Sequence, residues 1–204
     1  MQKFEPLDFG KIYHIYNKGI NGEVIFHDSE HYEKFLRLFE KHVDPIADTF
    51  AWCLMNNHFH LLVRIKEKDA IESFRREKGK DCNIPDYDFL SRQFGNMFNA
   101  YSQSFNIRTK RTGGLFETPF KRKLVEQEDY FQALIFYIHN NPVKHKICER
   151  IQDYPWSSYG TIISFTPTRL KRERVIGWFQ GIHNFVAFHN GSRSVENIAD
   201  FLFD

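Results

Sequence analysis

Apolar and polar positions alternate from Lys11 to Asn17, and the residue types are β-rich, which predicts a strand. Asn17 to Gly22 carries two Gly and two Asn and predicts a turn. Beyond it, Asp28 or Ser29 can cap a helix whose Tyr32, Phe35, Leu36, Phe39 and Val43 fall at helical spacing, and Pro45 ends it. Thr49 to Met55 and His58 to Ile65 read as adjacent strands, with Asn56 and Asn57 as the turn-forming residues between them. Lys66 to Asp86 is charged and contains Gly79 and Pro85, so a loop broken by a short helix is expected. From Asp86 to Phe105, the residues Phe89, Phe94, Met97, Phe98, Tyr101 and Phe105 form an apolar helical stripe. Gly113-Gly114 is a turn, and Phe120 to Gln127 looks like a fourth strand. Glu128 and Asp129 open a further helix with acids at its positive end; it is expected to stop near Asn141, because the residue before Pro142 disfavours helical torsions.

The resulting order, β-α-β-β-α-β-α, predicts an α+β fold: a ferredoxin-like split β-α-β arrangement with an antiparallel sheet and extra C-terminal helices. Residues 1–160 read as one domain and residues 161–204 as a basic helical C-terminal tail. The tail holds a basic helix candidate, Arg169 to Phe179, and then a short apolar helix. There is no internal repeat. With 204 residues, 22 of them Phe, the chain can build a sizeable core.

Net charge is only +2, so bulk charge does not announce a nucleic-acid binder. The distribution says more. Between Arg108 and Lys123 six basic residues (Arg108, Lys110, Arg111, Lys121, Arg122, Lys123) face one acid, Glu117, and a second cluster follows at Arg169, Lys171, Arg172 and Arg174. Both clusters fit a phosphate-backbone footprint and equally a solvated face. Cys53, Cys82 and Cys148 are odd in number, far apart and form no CxxC, which points to a reducing compartment without a disulfide framework or zinc site. No charged leader with an apolar stretch opens the chain and no run could span a bilayer, so the expected location is cytoplasmic.

Two segments carry candidate chemistry. In a strand His58 and His60 point the same way, opposite to Phe59, Leu61 and Val63, so two neutral imidazoles can share a divalent cation; a surface pair is the ordinary alternative. In the later helix Phe131, Leu134, Ile135 and Ile138 form the core face. Tyr137 and Asn141 stand at i and i+4 on one flank, with Tyr130 and Ala133 on the same side. Asn140 points away from the core and His139 lies on the other flank. Spacing therefore nominates Asn141 as the partner of Tyr137, which is expected to be partly exposed. A Tyr beside a metal-held phosphate suits a nucleophile, and it equally suits an amphipathic boundary position.

His58 to Val63 together with Tyr137-Ile138-His139-Asn140-Asn141-Pro142-Val143 closely resembles the single-tyrosine HUH transposases, best the REP-associated group. Further matching stretches are Tyr13 to Gly19, Gly114 to Glu117, Phe120 to Arg122 and Tyr154 to Tyr159, so the resemblance covers roughly residues 10–160. It implies a Mg²⁺- or Mn²⁺-dependent site in which His58 and His60 bind metal, Asn141 completes the ligands and Tyr137 attacks. It also implies cleavage of hairpin-forming single-stranded DNA through a 5′-phosphotyrosine, release of a 3′-OH, and rejoining without ATP. The basic residues of both clusters would grip the DNA. Relatives act as monomers or as homodimers. One departure is visible: the family commonly has Met-Pro-Asn where this chain has Met55-Asn56-Asn57. Two other classes stay in view. A non-cleaving nucleic-acid-binding module would keep the basic patches without metal dependence. A water-using metal hydrolase would need carboxylates near the histidines, and Glu67 and Asp69 lie beyond the strand's end.

Overall fold

The computed structural model describes residues 5–79, 85–127 and 129–191; Cys82 and Glu128 lie outside them. The strands are β1 (Ile12–Lys18), β2 (Ala47–Leu54), β3 (His58–Ile65) and β4 (Lys121–Leu124). They form one antiparallel sheet in the order β2-β3-β1-β4. Helices α1 (Ser29–His42) and α3 (Asp86–Thr109) lie between successive strands, as a ferredoxin-like split β-α-β requires. A short helix, α2 (Lys68–Glu77), lies in the charged stretch where a loop broken by a short helix is expected. Beyond β4 come α4 (Asp129–Lys144), α5 (Tyr159–Ile163), α6 (Arg172–Trp178) and α7 (Ile182–Asn190).

Period-two alternation gives the sheet two different faces. Tyr13, Ile15, Phe59, Leu61 and Val63 pack under α1 and α3, whose Phe35, Phe39, Phe94, Met97, Phe98 and Tyr101 complete the larger apolar cluster. The helical stripes read from the sequence are buried as expected. Asp28 caps α1, its Oδ1 accepting from the His31 N–H. Ile12, Ala51, Cys53 and Leu62 face the opposite way and meet Phe131, Leu134, Ile135 and Ile138 of α4. Val175, Phe179 and Phe185, from the stretch read as a tail, belong to this same second cluster. An irregularity between Thr49 and Ala51 lets both Phe50 and Ala51 join it.

Several expected boundaries move, the basic helix among them, which spans Arg172–Trp178 rather than Arg169 to Phe179; two others bear on the site. The fourth strand covers Lys121–Leu124 rather than Phe120 to Gln127, because only these residues pair with β1. Helix α4 does not stop near Asn141; it runs through Pro142 to Lys144. Proline in the last turn removes only one intrahelical donor. The end is then closed by Lys146 at φ 57°, with the Ile147 N–H bonded to Pro142 O and the Lys146 N–H to Val143 O. The β2–β3 turn is tied to the end of β1: the carbonyl of Asn57 accepts from Gly19 N, and that of Asn56 from Ile25 N and Phe26 N. Gly19 is required there by close approach, since a Cβ would lie 2.1 Å from Glu23 O. The free edge of β2 is covered by Trp156-Ser157-Ser158, with Leu54 N bonded to Trp156 O and Ser158 N to Trp52 O.

Candidate active site

Sheet register assembles the site before any helix arrives. Tyr16 stands opposite His60 on β3 and Lys121 on β4, and His14 stands opposite Lys123. Directly paired residues share a face, so His58, His60, His14, Tyr16, Lys121 and Lys123 all lie on the side that α4 packs against. Arg122, alternating between the two lysines, is on the other face and donates to Ser91 Oγ at 2.7 Å. The helix packs mainly over β2 and β3, and the half of this face nearer β4 is the wall of a groove of about 390 Å³ lined by Tyr16, Asn17, His58, His60, Lys121 and His145.

Helix α4 lays a second row along the histidines. Tyr137, Asn141 and His145 are one turn apart. The Tyr137 ring is 5.4 Å from the His60 ring and the His145 ring 5.2 Å from the His58 ring. Asn141 sits between these contacts, fully buried, with Nδ2 donating to Tyr137 O at 2.9 Å. Tyr137 is 4% exposed, not partly exposed as expected, because its ring stands edge-on against His60 and His14 of the sheet with the Lys144 ammonium over it. His139, expected on the other flank, does lie away from the histidine row, and α7 and the Ser158 segment bury it there.

Each candidate imidazole has one nitrogen committed. His58 Nδ1 donates to Asn57 Oδ1 at 2.7 Å. His60 Nδ1 is 2.9 Å from His14 Nε2. Burial, with the neighbouring His14 and His58 adding to it, holds His60 well below its ordinary pKa. Burial and then Lys123 push His14 down to about 3, so the pair is neutral. His60 Nε2 and Asn141 Oδ1 are both buried without a hydrogen-bond partner among the described residues. Buried polar atoms are ordinarily paired, and with His60 Nδ1–H donating to His14 Nε2 both atoms would be acceptors of the kind a cation takes. His58, His60 and Asn141 would be the residues to hold a divalent ion there. Among the described residues no group of three His, Cys, Asp or Glu side chains is placed to hold a metal ion, so the third protein ligand would be the amide oxygen.

Asn57, His14 and His145 were not singled out from the sequence as site residues. His145 had a local signal, being four residues beyond Asn141. His14 had none, because it meets His60 only through strand register. The departure at Asn56 leaves the site intact: the residue contributes a backbone carbonyl, which a proline supplies equally.

The basic residues disperse. Arg108 pairs with Asp28 and Glu30, and Arg111 with Glu23. Lys110 is exposed at the end of α3. Arg169 pairs with Glu40 and Asp44, and Lys171 with Asp48. Arg172 donates to the carbonyls of Thr161 and Thr166, and Arg174 stands 5.7 Å from the Phe50 and Trp178 rings. Of the ten, Lys121 lines the groove and Lys123 shares its face.

No protein-family model matches the chain. It is similar to a Haemophilus influenzae protein named "Putative REP-associated tyrosine transposase", 27% identical over 114 residues, which are 55% of this chain and 58% of that protein. The match thus spans little more than half the length of that curated relative. In fold it matches a solved structure described as "Structure of the REP associates tyrosine transposase bound to a REP hairpin", with a TM-score of 0.56 and 13% identity, covering 82% of this chain and 89% of that one. The antiparallel sheet and helices are those of that structure. The resemblance to REP-associated tyrosine transposases is thereby borne out. No helix among the described residues is long and apolar enough to cross a membrane.

Proposed function

We propose that the chain binds hairpin-forming single-stranded DNA and cleaves it through Tyr137, with His58, His60 and Asn141 holding Mg²⁺ or Mn²⁺. The observation that carries this is the Tyr137–Asn141–His145 row lying against His60 and His58, with two unpartnered buried polar atoms, His60 Nε2 and Asn141 Oδ1, beside it. The hairpin is carried over from the structural neighbour, which holds a REP hairpin. Bound metal would supply charge neutralisation at the scissile phosphate. The Tyr137 oxygen, giving its proton to water, forms a bond to phosphorus while the bond from phosphorus to the 3′ oxygen breaks. The departing oxygen takes a proton from water and leaves as a 3′-OH, and the 5′-phosphate stays esterified to Tyr137. Attack by another 3′-OH reverses these bonds, restores the phenol and joins the strands.

Lys18 and Lys121, both half-exposed and both near Glu117, stand where entering phosphates exchange one anionic partner for another. With Tyr137 almost fully buried, DNA has to widen the seam between α4 and β1 to reach the phenol. That burial favours one alternative, a non-cleaving hairpin-binding module on the same fold. The test uses labelled single strands copied from both flanks of the gene, with Mg²⁺ or Mn²⁺. A denaturant-resistant protein–DNA adduct is expected, lost in both Tyr137→Phe and His58→Ala. Binding with no adduct, for both metals and both strands, would establish the non-cleaving module instead.

A further inference from the structure

Behind α4, away from the groove, three buried side chains form a hydrogen-bonded chain whose direction can be solved. Phe185 O can only accept, so His189 Nδ1, 2.8 Å away, is the donor. In the neutral ring Nε2 of His189 is then an acceptor, and it receives the Nδ1–H of His139 at 3.0 Å. Nε2 of His139 is in turn an acceptor and receives the hydroxyl of Ser158 at 2.7 Å. Finally, Ser158 Oγ accepts from Trp52 N–H at 2.9 Å. Each nitrogen of both imidazoles has its partner, and the hydroxyl both donates and accepts. Such a network is held strongly where water is excluded, and here Tyr159, Phe179 and Phe185 wall it in. It links β2, the Trp-Ser-Ser-Tyr segment, α4 and α7.

We propose that the Ser158–His139–His189 relay sets the rotation of α4 about its own axis, which makes His189 of α7 a positioning residue for Tyr137 and Asn141. The proposal rests on the function given above. His139 stands two residues past Tyr137, about 200° round the helix. A clamp on that side therefore fixes which way Tyr137 and Asn141 face on the other. Helix Cα atoms lie about 2.3 Å off the axis and the phenol oxygen much farther, so a modest rotation moves that oxygen by on the order of 1 Å. A misplacement of about 1 Å can cost about 100-fold in rate. Apolar packing around Val175, Phe179 and Phe185 holds α6 and α7 on α4 but does not by itself specify rotation, because apolar contacts are non-directional. Directional bonds do.

The variants are His189→Leu, which fills the space but accepts no bond, and His189→Gln, whose amide oxygen can replace Nε2 as acceptor. Three readouts on the full chain are hairpin affinity, adduct formation rate and the proximity of the Tyr137 and His60 rings by NMR. The expected result for His189→Leu is an adduct rate lower by about tenfold or more, unchanged hairpin affinity and a weakened ring contact, all recovered in His189→Gln. Nitrogen NMR of labelled histidines should find His139 and His189 both protonated at Nδ1 in the native chain. A leucine variant that folds and keeps the native adduct rate and ring contact would overturn the proposal, as would the opposite tautomers. Should His189→Leu fail to fold, Ser158→Ala takes its place, with the same outcomes deciding. If the native chain forms no adduct, the cleavage function falls, and the ring contact and tautomers alone decide whether the relay orients α4.

Discussion

Asn57 donates little to the core, yet its Oδ1 decides which nitrogen of His58 is left for a ligand. With Nδ1–H donated at 2.7 Å, Nε2 is the unprotonated nitrogen of the neutral ring. Orienting partners of this kind typically govern metal affinity by about 10–100-fold. Asn57→Ala is therefore expected to weaken Mn²⁺ binding in titration by about that factor, while the melting temperature stays near native because the residue is half-buried in a turn. An unchanged Mn²⁺ affinity would show that His58 is oriented by something else. The sequence presents Asn57 as a turn former, and it is one: its carbonyl accepts from Gly19 N. The second role was not legible, because rotamer and ring orientation are decided by neighbours that only the folded sheet brings in. The same holds for His14, fully buried against His60 from another strand.

At the scale of elements, legibility followed locality. The strands β1 and β3, the capped start of α1 and the aromatic stripe of α3 are periodic in sequence, and periodicity is a local property. His58 and His60 share a face for the same reason, as do Tyr137 and Asn141. What failed was local chemistry overruled by tertiary context. The stretch around Pro142 ought to end a helix, but packing against the sheet and the Schellman-type closure at Lys146 carry α4 to Lys144. The exposure expected for Tyr137 failed likewise, since no pattern inside α4 reveals that His14 and His60 of the sheet will close against its ring. A proline inside a helix still has a cost, offset in part by the freedom it removes from the unfolded chain. Pro142→Ala is thus expected to stabilise by about 1–2 kcal/mol net. At this chain length that corresponds to a rise of roughly 2–8 °C in melting temperature. A fall would mean that α4 needs the proline's bend to sit on the sheet.

For the whole molecule, the four histidines buried around α4 (His14, His60, His139 and His189) matter more to pH response than the near-neutral net charge of +2. His14 is pushed down to about 3, by burial first and Lys123 second, and His189 to about 4 by burial, against the Phe185 carbonyl bond. His60 and His139 are lowered in the same direction, again chiefly by burial. The unfolded chain binds protons at these sites near pH 6.5, whereas the folded one does not until the far lower values are reached. Their contribution is therefore complete above about pH 6.5 and is lost progressively as pH falls through the window down to about 4 for His189 and about 3 for His14. Each such histidine can give a slope of up to about 1.4 kcal/mol per pH unit. Denaturant unfolding at pH 7 and pH 5 should thus differ by about a few kcal/mol, less stable in acid. The carboxylates of Asp28 and Asp153, both lowered, add to the loss only at still lower pH. A flat profile from pH 7 to 5 would mean that protons reach these imidazoles in the folded protein. The neutral relay behind α4 and the neutral His14–His60 pair in front of it would then fall together, because both depend on the same exclusion of water around one helix.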